Sequence, residues 1–440
     1  MPSGSWHRLD NAARVFAALA SRRTTTVFRV AVTLREPVDP AVVQEALAVL
    51  MPRLPVFAVR LRAGLFWHSL VPVDGVPTVQ REHAAPCRRL SRREDGPWQF
   101  RVLVFGRRLA VECSHVLTDG AGAMTLLRSL LAAYLQRRGV SVDAAEFEPA
   151  GILDPAAPPP PEEAEDAYRR FHEPRLPPPS TDPRALRLRG EPLEPEDLQV
   201  VLGVVPVAPL RALSRDHDVS LTELLASLML AAVLDLAPDG RRPIAVMTPV
   251  DLRRLFPSRT LRNFFLSVRA EIDPRLGPYS LEDILHDVHH SMRQQVSVRS
   301  IRRQIGRNVG AERNPLIRHV PLPIKIPMKR WLYRRRWGAR YTTALSNLGR
   351  VVLPPALDEH VERFELIPNP SAAHGIGCGV VGHGEDLVIV ISGIIGDTGL
   401  ERAFFTRLRR LGVPVRIETN RAEAGGRDEP PPGEPTKGRI

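Results

Sequence analysis

The 440 residues encode an α+β protein in two halves, and three observations carry that expectation. Stretches with the two-residue apolar period of a strand are mixed with stretches whose apolar residues recur at helical spacing. Helices and antiparallel strands mixed in this way make α+β layers. A proline-crowded segment divides the chain, and the length is enough for two cores at roughly 150 residues per domain.

In the first half, Thr24 to Leu34 reads as a strand and Pro40 to Leu50 as a helix. Phe57 to Arg62, Trp98 to Phe105 and Arg108 to Ser114 read as further strands, and Ala121 to Arg137 repeats apolar residues as a helix does. From Asp154 to about Pro195 the chain is crowded with proline and charge, including Pro158 to Pro161 and Pro177 to Pro179. Such a run forbids regular interior structure and reads as a crossover linker, with Glu162 to His172 as one short helix. In the second half Ser220 and Glu223 form a capping box that opens a helix over Leu221 to Leu236. Strands follow at Pro243 to Thr248 and Asn263 to Ile272, then a helix from Leu281, a basic amphipathic stretch, and strands at Tyr341 to Ser346 and Asp386 to Ser392. The domains expected are 1–153 and 196–420 with the linker 154–195 between them, and the Gly-, Pro- and charge-rich residues 421–440 read as a disordered tail.

Formal net charge is +12, almost all of its cations arginine, since Lys325, Lys329 and Lys437 are the lysines. With 43 prolines this points to compositional bias, and no nucleic-acid-binding motif accompanies it. The phosphates of a substrate such as coenzyme A are a sufficient use for part of the charge. Cys87, Cys113 and Cys378 are too scattered for a disulfide framework. With neither a signal peptide nor an uncharged run near ~20 residues, the sequence reads as cytoplasmic, without a transmembrane segment.

His115, Val116, Leu117, Thr118, Asp119 and Gly120 spell HxxxDG on the connection between the strand ending at Ser114 and the helix that follows. A neutral imidazole held between two rigid elements can take the proton of a hydroxyl or amine attacking a carbonyl, worth about 10²–10⁴-fold in rate. Asp119 reads as structural, pinning the loop through an arginine, and Gly120 as the sharp turn before the helix. Arg253 and Arg60 are the candidate partners, because a buried carboxylate left unpaired is costly. The alternative for the motif is a histidine that merely closes a strand. Cys113, two residues before His115, reads as a small buried hydrophobe rather than a nucleophile.

The segment Glu112 to Ala123 (ECSHVLTDGAGA) resembles the active-site segment of alcohol acetyltransferases and condensation domains, the superfamily with the chloramphenicol acetyltransferase-like fold. Leu9 to Val15 (LDNAARV), Leu54 to His68 (LPVFAVRLRAGLFWH), Thr248 to Phe265 (TPVDLRRLFPSRTLRNFF) and Ser346 to Gly349 (SNLG) resemble further stretches of bacterial alcohol acetyltransferase-like proteins, in the same order. The resemblance implies two pseudo-symmetric domains with mixed sheets and an interdomain tunnel. It also implies that His115 is the base, that no covalent acyl-enzyme forms, that no cofactor is bound, and that acyl-CoA is a co-substrate. Condensation domains and wax ester synthases usually carry two consecutive histidines, and here the first is Ser114. That departure favours a simple acetyltransferase-like activity over carrier-protein chemistry.

Ser346 and Asn347 end a strand before a glycine, and the resemblance places their segment across the tunnel from the histidine. They are candidate contacts for the acyl group or oxyanion, with a strand-capping turn as the alternative. Asn263 resembles a position at the edge of the channel, its alternative being a local backbone bond. His286, His289 and His290 share a helical face but lack an acidic third ligand, so a solvated face is favoured over a metal site. Lys329 to Arg340 (KRWLYRRRWGAR) is the densest basic run, suited to coenzyme A phosphates, an anionic membrane or an acidic carrier protein, with an ordinary solvated helix as the alternative.

The function expected is acyl transfer, acetyl or short acyl, from acyl-CoA to an alcohol. The alternatives are a condensing enzyme using a separate acyl-carrier protein and an inactive binding protein of the same fold.

Overall fold

The computed structural model describes residues 7–21, 24–83, 85–173, 183–238, 240–313, 319–333, 335, 340–370 and 374–421. The strands are β1 (His7–Arg8), β2 (Val27–Leu34), β3 (Val59–Ala63), β4 (His68–Pro72), β5 (Gln80–Arg81), β6 (Phe100–Phe105), β7 (Arg108–Ser114), β8 (Gln199–Pro206), β9 (Ile244–Asp251), β10 (Phe265–Ile272), β11 (Thr343–Val351), β12 (Val361–Ile367), β13 (Ile376–His383), β14 (Asp386–Gly393) and β15 (Arg416–Thr419). The longer helices are α1 (Asn11–Leu19), α2 (Pro40–Leu50), α3 (Gly120–Arg137), α4 (Val207–Asp216), α5 (Leu221–Leu236), α6 (Leu281–Val296), α7 (Val298–Arg313), α8 (Leu322–Leu332) and α9 (Gly399–Arg410). The tail past Arg421, part of the linker and part of the basic run lie outside the described residues.

Two mixed sheets carry the molecule. One has the order β12-β2-β7-β6-β5 and the other β10-β9-β11-β13-β14-β8-β15, with a small sheet β1-β4-β3 beside them. In the first half β2 runs antiparallel to β7, the β6–β7 hairpin leads into α3, α3 packs on β2 and β7, and α2 packs against α3. In the second half β8 runs antiparallel to β14, the β13–β14 hairpin leads into α9, and α5 packs between α9 and α6. Strand, helix, hairpin and helix thus recur, and this is the pseudo-symmetry of the fold. The elements follow local chemistry. Asp39 caps α2 with Pro40 in its first turn, Ser220 and Glu223 make the capping box of α5, and all eight residues of β2 are buried because it is a central strand.

Two boundaries differ from the sequence expectation. β12 belongs to the second half by sequence, yet it pairs antiparallel with β2 and completes the first sheet. Its Val361, Phe364 and Leu366 lie in the core of the first half. The linker is also packed rather than free. A short 3-10 turn at Pro161–Ala164 presents Glu163 to Arg53, and the buried pair makes two hydrogen bonds of 2.7 Å. Proline limits regular structure here, but a bidentate ion pair and the buried Tyr168 hold the segment down.

Candidate active site

The site begins at the end of β7. Ser114 pairs with Val27, the first residue of β2, and the next residue, His115, donates its backbone N–H to the Thr26 carbonyl at 2.9 Å. Thr26 sits at φ 59°, a left-handed conformation that a β-branched residue adopts only under constraint, so the strand starts at Val27 and not at Thr24. The turn that follows is clamped by residues from the other half. Thr118 Oγ1 donates to Leu261 O at 2.6 Å, and the Phe264 N–H donates to Asp119 Oδ2 at 2.7 Å. The Asn263 side-chain amide donates to the His115 carbonyl at 2.9 Å and to Asp10 Oδ2 at 3.2 Å. Asp10, cap of α1, is fully buried, and burial pushes its pKa up to about 6 against the pull of Arg262.

Asp119 caps α3, accepting the Gly122 N–H at 3.1 Å. Its cationic partner is Arg253, whose fork donates to Oδ2 at 3.0 Å and Oδ1 at 3.2 Å. The same guanidinium reaches the Thr260 and Arg262 carbonyls and Asp251, so it organises the whole 251–264 loop around the motif. Arg60 has no part in this: it lies on β3 opposite Val71 of β4. Gly120 is required for a reason other than the turn expected. Its φ is not left-handed; instead a Cβ there would stand 2.7 Å from Leu348 Cδ2, on a strand of the other half. Gly122, which the sequence reading passed over, is tighter still, its Cβ falling 2.2 Å from Thr118 Oγ1 and 2.4 Å from Leu261 O.

The imidazole of His115 lies between two phenyl rings. Phe16 of α1 stacks on it at 4.4 Å between centroids and Phe28 of β2 at 4.3 Å, with Phe265 of β10 tilted at 6.1 Å. Desolvation therefore dominates its titration and takes the pKa down to about 4, although Asp119, the Thr118 backbone and Asn263 all favour the charged ring. Nδ1 is sealed from solvent and makes no hydrogen bond of good geometry to a described residue. The aromatic residues carry no motif, so pattern reading had no means of finding them.

His115 faces a cavity of about 1460 Å³ lined by both halves. Ser346 lines it, and its hydroxyl makes no hydrogen bond to a described residue. Asn347 lines it too, but its amide is used internally: Oδ1 accepts the Gly349 N–H at 2.8 Å and Nδ2 donates to Thr222 at 3.0 Å. His374, before β13, lines the cavity and is likewise taken to about 4 by burial, with Arg187 adding. The wall is rich in arginine. Arg128, Arg254, Arg293 and Arg350 line it without an ion pair among the described residues, and burial pulls the Arg128 pKa down with no opposing charge beside it. Cys113 is fully buried beneath the site, and burial pushes its thiol well up, as suits a packing residue. His286 and His290 are exposed with ring centroids 4.4 Å apart, and no group of three metal-ligating side chains is assembled among the described residues.

No family model matches the sequence, and no curated protein matches it. Solved structures do. Polyketide synthase associated protein 5 from Mycobacterium tuberculosis superposes with a TM-score of 0.59 at 18% identity, covering 92% of this chain and 98% of that one. The first condensation domain of the calcium-dependent antibiotic synthetase, in complex with a substrate analogue, gives 0.59 at 15%, covering 93% and 97%. TRI101 of F. graminearum, complexed with coenzyme A and T-2 mycotoxin, gives 0.59 at 14%, covering 93% and 99%. The chain has the two-domain chloramphenicol acetyltransferase-like fold of these proteins over nearly its whole length.

Proposed function

We propose that this protein is an acyltransferase that moves an acetyl or short acyl group from an acyl-CoA thioester to an alcohol, with His115 as general base. The observation that carries the reading is the placement of His115: a neutral imidazole, fixed by its backbone and by two stacked rings, on the wall of a cavity shared by two domains. In this mechanism Nε2 accepts the hydroxyl proton as the oxygen attacks the thioester carbon. A C–O bond forms, the C–S bond breaks, and the proton passes from His115 to the departing thiolate. No acyl-enzyme intervenes. The Ser346 hydroxyl is the candidate donor to the oxyanion, whereas Asn347, with both ends of its amide engaged, braces the irregularity of β11 between Asn347 and Arg350. The unpaired cavity arginines, Arg128 foremost, suit the phosphates of coenzyme A. TRI101, the neighbour complexed with coenzyme A, supports the same donor. The reading places the reaction in the cytoplasm, where the three free, buried cysteines would stay reduced.

Thiol release from acyl-CoAs of increasing chain length, with alcohols and amines as acceptors, tests this. His115→Ala should lower acceptor-dependent release by about 10²–10⁴-fold, the usual worth of a positioned base. Unchanged release would remove His115 as the base. Activity only with acyl groups on a separate carrier protein would move the protein to the condensing class.

A further inference from the structure

Helix α8 is amphipathic in the unexpected sense. Its inward side holds Leu322 and the almost fully buried Lys325, whose Nζ donates to the Phe66 carbonyl at 2.9 Å. Its outward side shows Ile324, Met328 and Trp331, 63%, 41% and 56% exposed. The spacing of four and then three residues puts these on one stripe. Beside the stripe stands the tip of the β3–β4 hairpin, where Leu65 and Trp67 are 64% and 47% exposed. The Leu322 N–H donates to the Leu65 carbonyl at 2.8 Å, so helix and hairpin form one surface. Water-facing helices place cations out and apolar residues in, whereas here large apolar side chains stand exposed on the helix and on the hairpin tip beside it.

The charges on the patch say which partner. From Leu322 to Arg340 there is no Asp or Glu, while Lys325, Lys329, Arg330 and Arg335 lie among the described residues. The Arg335 guanidinium lies 4.7 Å over the Trp331 ring, and Lys325 Nζ lies 5.5 Å from the Trp67 ring. A protein interface of ordinary kind carries a polar rim with about one hydrogen bond per 100–200 Å². Here apolar side chains adjoin cations directly, the composition of helices that lie in the headgroup region of anionic bilayers. No single helix among the described residues is long and apolar enough to cross a membrane.

We propose that α8 and the β3–β4 hairpin tip form a docking surface for an anionic lipid bilayer. Ile324, Met328, Trp331, Leu65 and Trp67 enter the headgroup boundary, and Lys329 and Arg335 meet anionic headgroups. The surface borders the cavity. Arg330 donates to the Ala18 and Ala20 carbonyls at the end of α1, and Phe16 and Leu19 of α1, together with Tyr333, line the cavity wall. If the acyltransferase reading holds, a lipid-soluble reactant would reach His115 from the membrane beside it.

The test is co-sedimentation of the full chain with vesicles of phosphatidylcholine alone and of phosphatidylcholine mixed with phosphatidylglycerol. The expected result is binding to the anionic vesicles, at least about tenfold weaker on the neutral ones and weakened by salt. The double variant Ile324→Glu/Trp331→Glu should lose at least tenfold in partition with an unchanged melting temperature, because both side chains point outward. Equal partition into both vesicle types, no binding to either, or unchanged binding of the variant would overturn the proposal. Capture of the wild type but not of the variant by a purified acidic carrier protein, without vesicle binding, would assign the surface to a protein instead. The assay involves no acyl transfer, so an inactive protein that still docks would count against the enzymatic reading alone.

Discussion

His115 meets two demands that pull against each other. The Phe16 and Phe28 rings strip water from the imidazole and hold it neutral, ready to accept a proton, while the same desolvation makes it a weaker base. With a pKa taken down to about 4, the proton-accepting form persists far below the usual histidine range. On the proposed mechanism, the acid limb of kcat/KM should therefore fall near pH 4 rather than near 6.5. Phe16→Leu, which opens one face to water, should move that limb upward, as a pH–rate profile would read; an unmoved limb would show that the sandwich does not set it. Stability follows the same sign. The unfolded chain holds more protons on this group between its ordinary value and 4, so its contribution is complete above pH 6.5 and is lost as pH falls toward 4.

At the scale of elements, the motif is a turn gripped from across the molecule, and its two glycines separate two kinds of crowding. At Gly120 a new methyl would meet the tip of the Leu348 side chain, which can rotate away; at Gly122 it would meet the Leu261 backbone carbonyl, which cannot. Gly120→Ala should cost about 1–3 kcal/mol, and Gly122→Ala should exceed that range and disrupt the Thr118–Leu261 bond. Denaturant melts of the two variants check the order, and an equal cost would refute this account. Ser114, His115 and Asp119 at the end of β7 have the sequence spacing of Ser392, Gly393 and Asp397 at the end of β14. The carboxylate is used differently, Asp397 accepting the Gly399 N–H two residues on at 2.7 Å where Asp119 caps α3 through the Gly122 N–H three residues on, and glycine stands at the position of the imidazole. One half carries the histidine at this position and the other carries glycine.

For the whole molecule, the decisive feature is that the first half is not complete by sequence, its sheet taking β12 from the second. β12 covers the free side of β2, and the Arg53–Glu163 pair and the 251–264 loop tie the linker and second half to the first. Residues 1–195 expressed alone would leave β2 as a long apolar edge, the kind of edge that recruits other chains. They should elute as aggregates in size-exclusion chromatography, where the full chain gives a single species. A soluble, folded monomer would show that β12 is dispensable. The cavity, too, exists only between the assembled halves.

The sequence by itself determined the elements with strong local signals. The Pro40–Leu50 helix, the Arg108–Ser114 strand and the Ser220–Glu223 capping box stand where their spacing put them, because period and caps are written in adjacent residues. It also marked His115 and Asp119 as a unit and offered Arg253 as a partner. Only the tertiary structure decided the rest. The aromatic rings around His115, the space that forbids a side chain at Gly122, the engagement of Asn347 and the passage of β12 into the first sheet all join residues far apart in the chain. Such contacts leave no periodic trace. Desolvation, packing distance and edge pairing act through space, and no local stretch of sequence encodes them.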